Sequence, residues 1–277
     1  MPATKKGVRR SSRLTAATAD RHVLYGLSVQ NVEAEIDFVD ATFKDLRGRR
    51  AATLREDFCG TANTSCEWVR RRPANRAIGV DLCADTLAWA GEHNLAALRP
   101  AQRSRVTLLN RNVLDPGPRG RGVDIVLAMN FSYWIFTRRA QMLQYFRSVR
   151  ESLRPGGIFF LDHYGGSEAL TETREKRPME GFTYVWDQHW YNPITGEMTC
   201  YIDFEFPDGS KMKRAFEYHW RHWTLPEIRD LLEEAGFARN TVYWEEEDED
   251  GEGTGEYYAT ERGTADLAFI TYIVAEK

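Results

Sequence analysis

The stretch Leu54-Arg55-Glu56-Asp57-Phe58-Cys59-Gly60-Thr61-Ala62-Asn63 joins a pair of carboxylates to a small-residue turn. A strand that ends in acids and turns into a helix leaves a crevice at its carboxyl end for a nucleotide-like ligand. Small residues let the backbone approach that ligand, and the helix N-terminus offers free N–H groups. The next strand closes on Gly79-Val80-Asp81, which puts Asp81 21 residues after Gly60. An acid at about that distance can accept hydrogen bonds from both hydroxyls of a ribose. The alternative role for Asp81, shared with Asp85, is to cap the following helix. The turn lacks G-x-G-x-x-G: Phe58 and the single Gly60 suit a ligand without a pyrophosphate better than NAD. A NAD(P)-dependent oxidoreductase is therefore only an alternative.

His163 lies with Asp162 and Tyr164 at the end of a later strand and could titrate near neutrality. It is a candidate general base or, equally, a hydrogen-bond partner of a loop carbonyl. His189 and His219 sit in aromatic strand-like stretches and read as structural. The tryptophans there, Trp186 included, read as sheet-face residues before a cation cage. Arg221 could bind a carboxylate or snorkel to the surface. The four cysteines, Cys59, Cys66, Cys83 and Cys200, form no C-x-x-C pair. That argues against zinc, so no metal is expected, and a reducing cytoplasm is the simplest setting.

The elements that must position these groups follow from hydrophobic periodicity. Residues 1–20 are basic and polar with no apolar period, which predicts a disordered tail. Val32, Ile36, Val39, Phe43 and Leu46 recur at helical spacing within one amphipathic helix over Val23 to Leu46. Strands are expected at Ala51–Phe58, Arg76–Leu82, Arg105–Asn110, Val123–Met129 and Ile158–Asp162. Helices are expected at Thr61–Arg72, Asp85–Leu98 and Arg138–Leu153. Short apolar runs alternating with helices indicate a parallel sheet covered on both faces. After Gly165 three stretches, Phe182–Trp190, Thr199–Phe206 and Lys213–Trp223, alternate as an antiparallel insertion. Thr224 is a candidate N-cap and Gly236 a C-cap candidate for the next helix. Thr241–Trp244 and Leu267–Val274 close the sheet, with acidic Glu245–Glu256 between them as a solvated loop.

Together these elements resemble the class I S-adenosylmethionine-dependent methyltransferase family. Its acid-apolar-Gly-x-Gly-x-Gly motif falls on Glu56, Phe58, Gly60 and Ala62, with one of three glycines kept. The later elements are Arg111-Asn112-Val113, Ala128-Met129-Asn130-Phe131-Ser132-Tyr133, Leu153-Arg154-Pro155-Gly156-Gly157 and Trp223-Thr224-Leu225-Pro226-Glu227-Ile228. The resemblance spans about Leu54 to Val274 and implies an α/β Rossmann-like sheet of seven mostly parallel strands with the antiparallel insertion after strand five. It implies S-adenosyl-L-methionine as cofactor, held by Glu56, Asp57, Phe58, Cys59, Gly60, Thr61, Asp81, Leu82, Asn112, Val113, Met129 and Asn130. Whether Glu56 or Asp57 faces the ligand is open, and the Asn112 amide stands where an acid often binds adenine.

In such a fold residues 21–50 form a helical lid, 51–164 the core, 165–223 the substrate cover and 224–277 the closing elements. The acceptor is expected over strands four and five near Tyr25, Tyr164, Trp186, His189 and Arg221. His163 and Tyr133 are the catalytic candidates. Asn130-Phe131-Ser132-Tyr133 is not the Asn/Asp-Pro-Pro-aromatic turn of family members that methylate bases or glutamine amides. With a net charge of −4 and an aromatic insertion, a small molecule methylated at N, O or S is favoured. A protein or nucleic acid docked by the basic tail is the alternative. No apolar run reaches the roughly 20 residues needed to span a bilayer, and the oligomeric state is left open between monomer and dimer.

Overall fold

The computed structural model describes residues 14–248 and 253–277. The main sheet has the strands β1 (Thr53–Asp57), β2 (Arg76–Asp81), β3 (Val106–Asn110), β4 (Val123–Ala128), β5 (Leu153–Gly165), β10 (Arg239–Glu247), β11 (Gly253–Thr260) and β12 (Phe269–Glu276). Their order is β11-β10-β12-β5-β4-β1-β2-β3. The five from β3 to β5 run parallel, and β12, β10 and β11 add antiparallel pairs. The chain builds outward from β1 to β3 and then returns to place β4 on the other side of β1. That reversal is the switch point where an open α/β sheet leaves a crevice.

The helices are α1 (Arg21–Ser28), α2 (Val32–Arg47), α3 (Asn63–Arg71), α4 (Ala84–Glu92), α5 (Pro100–Arg103), α6 (Arg139–Ser152) and α7 (Leu225–Glu234). Ile36, Val39 and Phe43 of α2, with Cys66, Trp68 and Val69 of α3, pack on Leu54, Ile125 and Phe160 on one face of the sheet. Met142 and Phe146 of α6, with Ile228 and Leu231 of α7, pack on Val126, Phe159 and Leu161 on the other. The α7 start is a capping box. Thr224 accepts from the Glu227 N–H at 3.4 Å, and the Glu227 carboxylate accepts from the Thr224 N–H at 2.8 Å.

The insertion is a sheet of β6 (Thr173–Met179), β7 (Phe182–Tyr191), β8 (Glu197–Glu205) and β9 (Lys211–Arg221), all antiparallel. Its inner face carries Phe182, Ile202 and Phe204, against which Leu24 of α1 packs.

Several expectations need correction. The insertion has four strands, because β6 forms without an apolar pattern. It is a charged edge strand held by Arg174 on Asp187 and Asp203 and by Lys176 on Glu205. The main sheet has eight strands, because the acidic segment is partly β10 and β11. Glu245 faces Tyr257 across that ladder, and tyrosine-rich pairing outweighs the charge. The segment over Val23 to Leu46 is two helices, separated at Asn31, whose side chain caps α2.

Residues 1–13 and 249–252 lie outside the described residues, so the tail reading is assessed only from Leu14. From there the chain is docked: the Ala16 N–H donates to Ser210 Oγ at 2.9 Å, and the Trp89 indole donates to Asp20 at 2.8 Å. Neither Asp81 nor Asp85 caps α4, whose N-cap is Cys83 without a side-chain bond. Among the described residues no helix is long and apolar enough to cross a membrane.

Candidate active site

The turn after β1 bends through the left-handed region at three alternate residues, Phe58 (φ 54°), Gly60 (φ 48°) and Ala62 (φ 55°). These are the positions where the family motif carries glycine. The backbone shape is kept although two side chains are present, at a cost of order 1 kcal/mol each. Phe58 offsets that cost by packing on Phe136 and Tyr145, with ring centroids 6.0 and 5.6 Å away.

The two motif acids point to opposite faces of β1. Glu56 Oε2 accepts from the Ser65 N–H at 2.8 Å and its hydroxyl at 2.6 Å, fastening the turn to the first residues of α3. Burial pushes its carboxyl up to about 7 despite these donors. Asp57 is held by the Arg55 guanidinium at 2.8 Å and accepts from the Tyr145 hydroxyl at 3.0 Å. Both carboxylates also line the cavity described below.

Asp81, half-buried at the end of β2, accepts from the Gly60 N–H and from the Cys83 N–H, both at 2.8 Å. Across the switch point Asp162 accepts from the Asn130 N–H at 2.6 Å and the Phe131 N–H at 2.9 Å. It thereby holds a second left-handed pair, with φ of 56° and 54°. Burial raises Asp162 to about 7.

These strand ends enclose a cavity of about 470 Å³, lined by Glu56–Thr61, Asp81, Met129 and Asn130 below. Its roof comes from Arg21, His22 and Tyr25 of α1 and Arg214–Tyr218 on β9. Roof and insertion are joined by the Tyr25–Phe216 ring pair at 4.8 Å and by the Arg21 guanidinium, which donates to the Ala215 carbonyl at 3.4 Å.

A second chamber of about 280 Å³ shares Tyr25, Asn130 and Tyr218 with the first. Its other walls include Phe131, Tyr164, Tyr184, Trp186 and Trp220, with the carboxylates Glu168 and Glu175. Among the described residues no Lys, Arg or His lines it. Burial and these two carboxylates push the Tyr164 phenol up to about 12.

The structure thus brings Glu56, Asp57, Phe58, Cys59, Gly60, Thr61, Asp81, Met129 and Asn130 together around one cavity, with Tyr25, Tyr164 and Trp186 next door. Other sequence-derived candidates fall elsewhere. His163 is 1% exposed and lies among Trp134, His222 and Phe269, on the opposite face of β5 from Asp162. Strand alternation sends consecutive residues to opposite faces, and Asp162 has the side that holds the Asn130–Phe131 turn. Burial pushes the His163 imidazole down to about 3, so it is neutral and not a proton acceptor for the site.

Tyr133 is fully buried and donates its hydroxyl to the Asp162 carbonyl at 2.7 Å, a strut beneath the turn. His189 points outward beside Asp187 and Tyr201, next to a bulge in β7. Arg221 is bound to Glu227 at 3.0 Å and stacked on Trp223, bracing the start of α7. Asn112 caps its own turn by accepting from the Leu114 N–H at 2.9 Å. Val113 is core, and Leu82 is exposed beside Asp81. Sequence reasoning missed Thr64, Thr86, Ser132 and the Arg214–Tyr218 roof.

Residues 59–159 match the methyltransferase-domain family. No curated protein sequence matches the chain. Solved structures share its fold over nearly the full length. An S-adenosylmethionine-dependent methyltransferase from Clostridium acetobutylicum ATCC 824 is 15% identical with a TM-score of 0.67, over 92% of this chain and 96% of its own. A SAM-bound amino pentose methyltransferase from Micromonospora echinaspora, involved in calicheamicin biosynthesis, is 18% identical with a TM-score of 0.64, over 92% and 95%. A sugar N-methyltransferase from Streptoalloteichus sp ATCC 53650 is 17% identical with a TM-score of 0.61, over 100% and 98%. Residues 59–159 thus match a methyltransferase domain, and the Rossmann-like fold around them is the one these solved methyltransferases share.

Proposed function

We propose that the chain methylates a nitrogen of a small amine held in the aromatic chamber beside the cofactor cavity. The observation that carries this is the chamber's lining: seven aromatic residues, two carboxylates and, among the described residues, no cation. Such walls favour an ammonium group through ring faces and opposite charge, and disfavour anions. The chamber's size suits a small molecule rather than a folded chain. The amino pentose and sugar N-methyltransferases that share the fold act on acceptors of this chemistry.

The cofactor-side residues fit S-adenosylmethionine. Asp81, with both oxygens already on N–H donors, would hold the ribose hydroxyls. The Phe58–Thr61 turn would cradle the methionyl portion, and Arg21, which shares the roof with Arg214, would meet its carboxylate. When bound, the cofactor supplies a methyl group on an electron-poor sulfonium. The chain's own part is to align the acceptor and exclude water. Tyr25, Asn130 and Tyr218 stand at the junction of the two cavities and fix the approach. The roof of α1 and β9 covers that junction.

The test is incubation of the full chain with methyl-labelled S-adenosylmethionine and size-fractionated cell extract. Label is expected in a low-mass, cation-exchange-retained fraction, and Trp186→Ala should raise the acceptor KM without changing cofactor binding. Label in protein or nucleic acid, or in a neutral hydroxyl compound, would overturn the reading.

A further inference from the structure

A third cavity of about 450 Å³ adjoins the chamber and shares Val29, Asn130, Phe131, Glu175, Tyr184, Trp186 and Ile270 with it. Its distinctive wall is Glu35 of α2. Glu35 is 8% exposed, yet among the described residues its Oε2 atom has no hydrogen-bond partner. The Asn31 backbone opposes, without offsetting, the upward push of burial on its carboxyl. An unpaired buried carboxylate oxygen costs several kcal/mol unless something occupies it. Within its field lie Glu56 at the end of β1, Asp162 at the end of β5, and Tyr25 and Tyr272. Asp162, at the end of β5, lines the same cavity as Glu35. Among the described residues, Glu175, Glu245, Tyr257 and Arg177 are the other titratable and charged groups of this wall besides the tyrosines already named. The Arg177 guanidinium is turned to the Ser28 carbonyl and the Tyr184 ring.

We propose that Glu35 binds the protonated amino group of the acceptor and takes its proton before methyl transfer. This rests on the amine reading above. An alkylammonium has no lone pair for attack. Transfer of one proton from R–NH3+ to the Glu35 carboxylate leaves R–NH2 and a neutral carboxylic acid, so charge and atoms balance. Burial holds the Glu35 carboxyl up at about 7, which suits a group that must accept a proton near neutrality and give it up again. A merely structural Glu35 would leave a bound amine without effect on its titration.

The experiment follows the Glu35 carboxyl by 13C NMR in the full chain with S-adenosylhomocysteine, assigned by its absence in Glu35→Gln. The expected midpoint near 7 falls when methylammonium chloride replaces sodium chloride at equal ionic strength. A midpoint in the ordinary glutamate range, or one that methylammonium leaves unchanged, overturns the proposal.

With an amine acceptor, Glu35→Gln should lower kcat/KM roughly a hundred- to ten-thousand-fold. It should also remove the loss of rate below about pH 7. An unchanged pH profile would equally overturn the role. Undiminished S-adenosylhomocysteine binding by Glu35→Gln separates failure of this inference from failure of the methyltransferase site.

Discussion

Replacing Arg55 by Met tests what supports the cofactor turn. Arg55 and Asp57 are both fully buried, two residues apart on one face of β1. The guanidinium lies 2.8 Å from one carboxylate oxygen, donates to the other at 2.9 Å and donates to the Gly120 carbonyl at 2.9 Å. Burial still raises the Asp57 carboxyl above its ordinary range, in spite of the guanidinium beside it. Desolvation therefore outweighs attraction, and the pair is not a net source of stability. Removing only Arg55 strands a buried carboxylate with the Tyr145 hydroxyl as its remaining donor, which should cost about 3–5 kcal/mol. For a chain of this size that is a drop in melting temperature of about 10 °C. The double variant Arg55→Met with Asp57→Leu removes both charges and should recover most of the loss. Denaturant unfolding of the four proteins of this cycle measures both numbers. A loss under about 1 kcal/mol for Arg55→Met, or a double variant as damaged as the single one, would refute the reasoning.

The remaining predictions concern charge, caps and the rejected base. Glu56 and Asp162 have folded carboxyls near 7, above their unfolded values. Their stability contribution is full below about pH 4 and is lost as pH rises to 7, by up to about 3 kcal/mol each. Melting temperature should fall from pH 5 to 8, and Glu56→Gln should flatten that fall; a rise over the same interval would contradict the burial argument. His163→Gln should keep the wild-type pH–rate profile, since the imidazole is neutral throughout; losing a limb near pH 6.5 would restore it as a base. Thr224→Ala should cost about 1 kcal/mol in equilibrium unfolding by opening the α7 capping box, with no change in cofactor affinity.

The parallel half of the fold was legible because its strands are short apolar runs and its turns sit at strand ends. The charged edge strand β6 was not, because cross-strand ion pairs rather than apolar alternation hold it. Nor was β11, whose aromatic pairings, Tyr257 with Glu245 and Tyr258 with Trp244, are concealed by the acids of its hairpin. In the site, Gly60 and Asp81 could be placed by spacing, since a turn and an acid at the next strand end are local features. His163 was misjudged by one residue of strand phase: Leu161 and His163 share a face, and that face belongs to α6 and α7. Glu35 had a readable signal that went unused. It shares the helical stripe of Val32, Ile36 and Val39, and an acid on such a stripe must face something polar inside. The Arg214–Tyr218 roof depends on how the insertion folds back over the sheet, a long-range arrangement with no local pattern.

The most direct measurement is calorimetric titration of S-adenosylhomocysteine into the full chain and into Asp81→Ala. The account predicts one site per chain in the wild type and an affinity about a hundredfold weaker in the variant, from losing about 3 kcal/mol of charge-assisted hydrogen bonding to the ribose. Equal affinities in the two proteins would remove Asp81 from the site. No binding of S-adenosylhomocysteine, with NAD bound instead, would contradict the central claim.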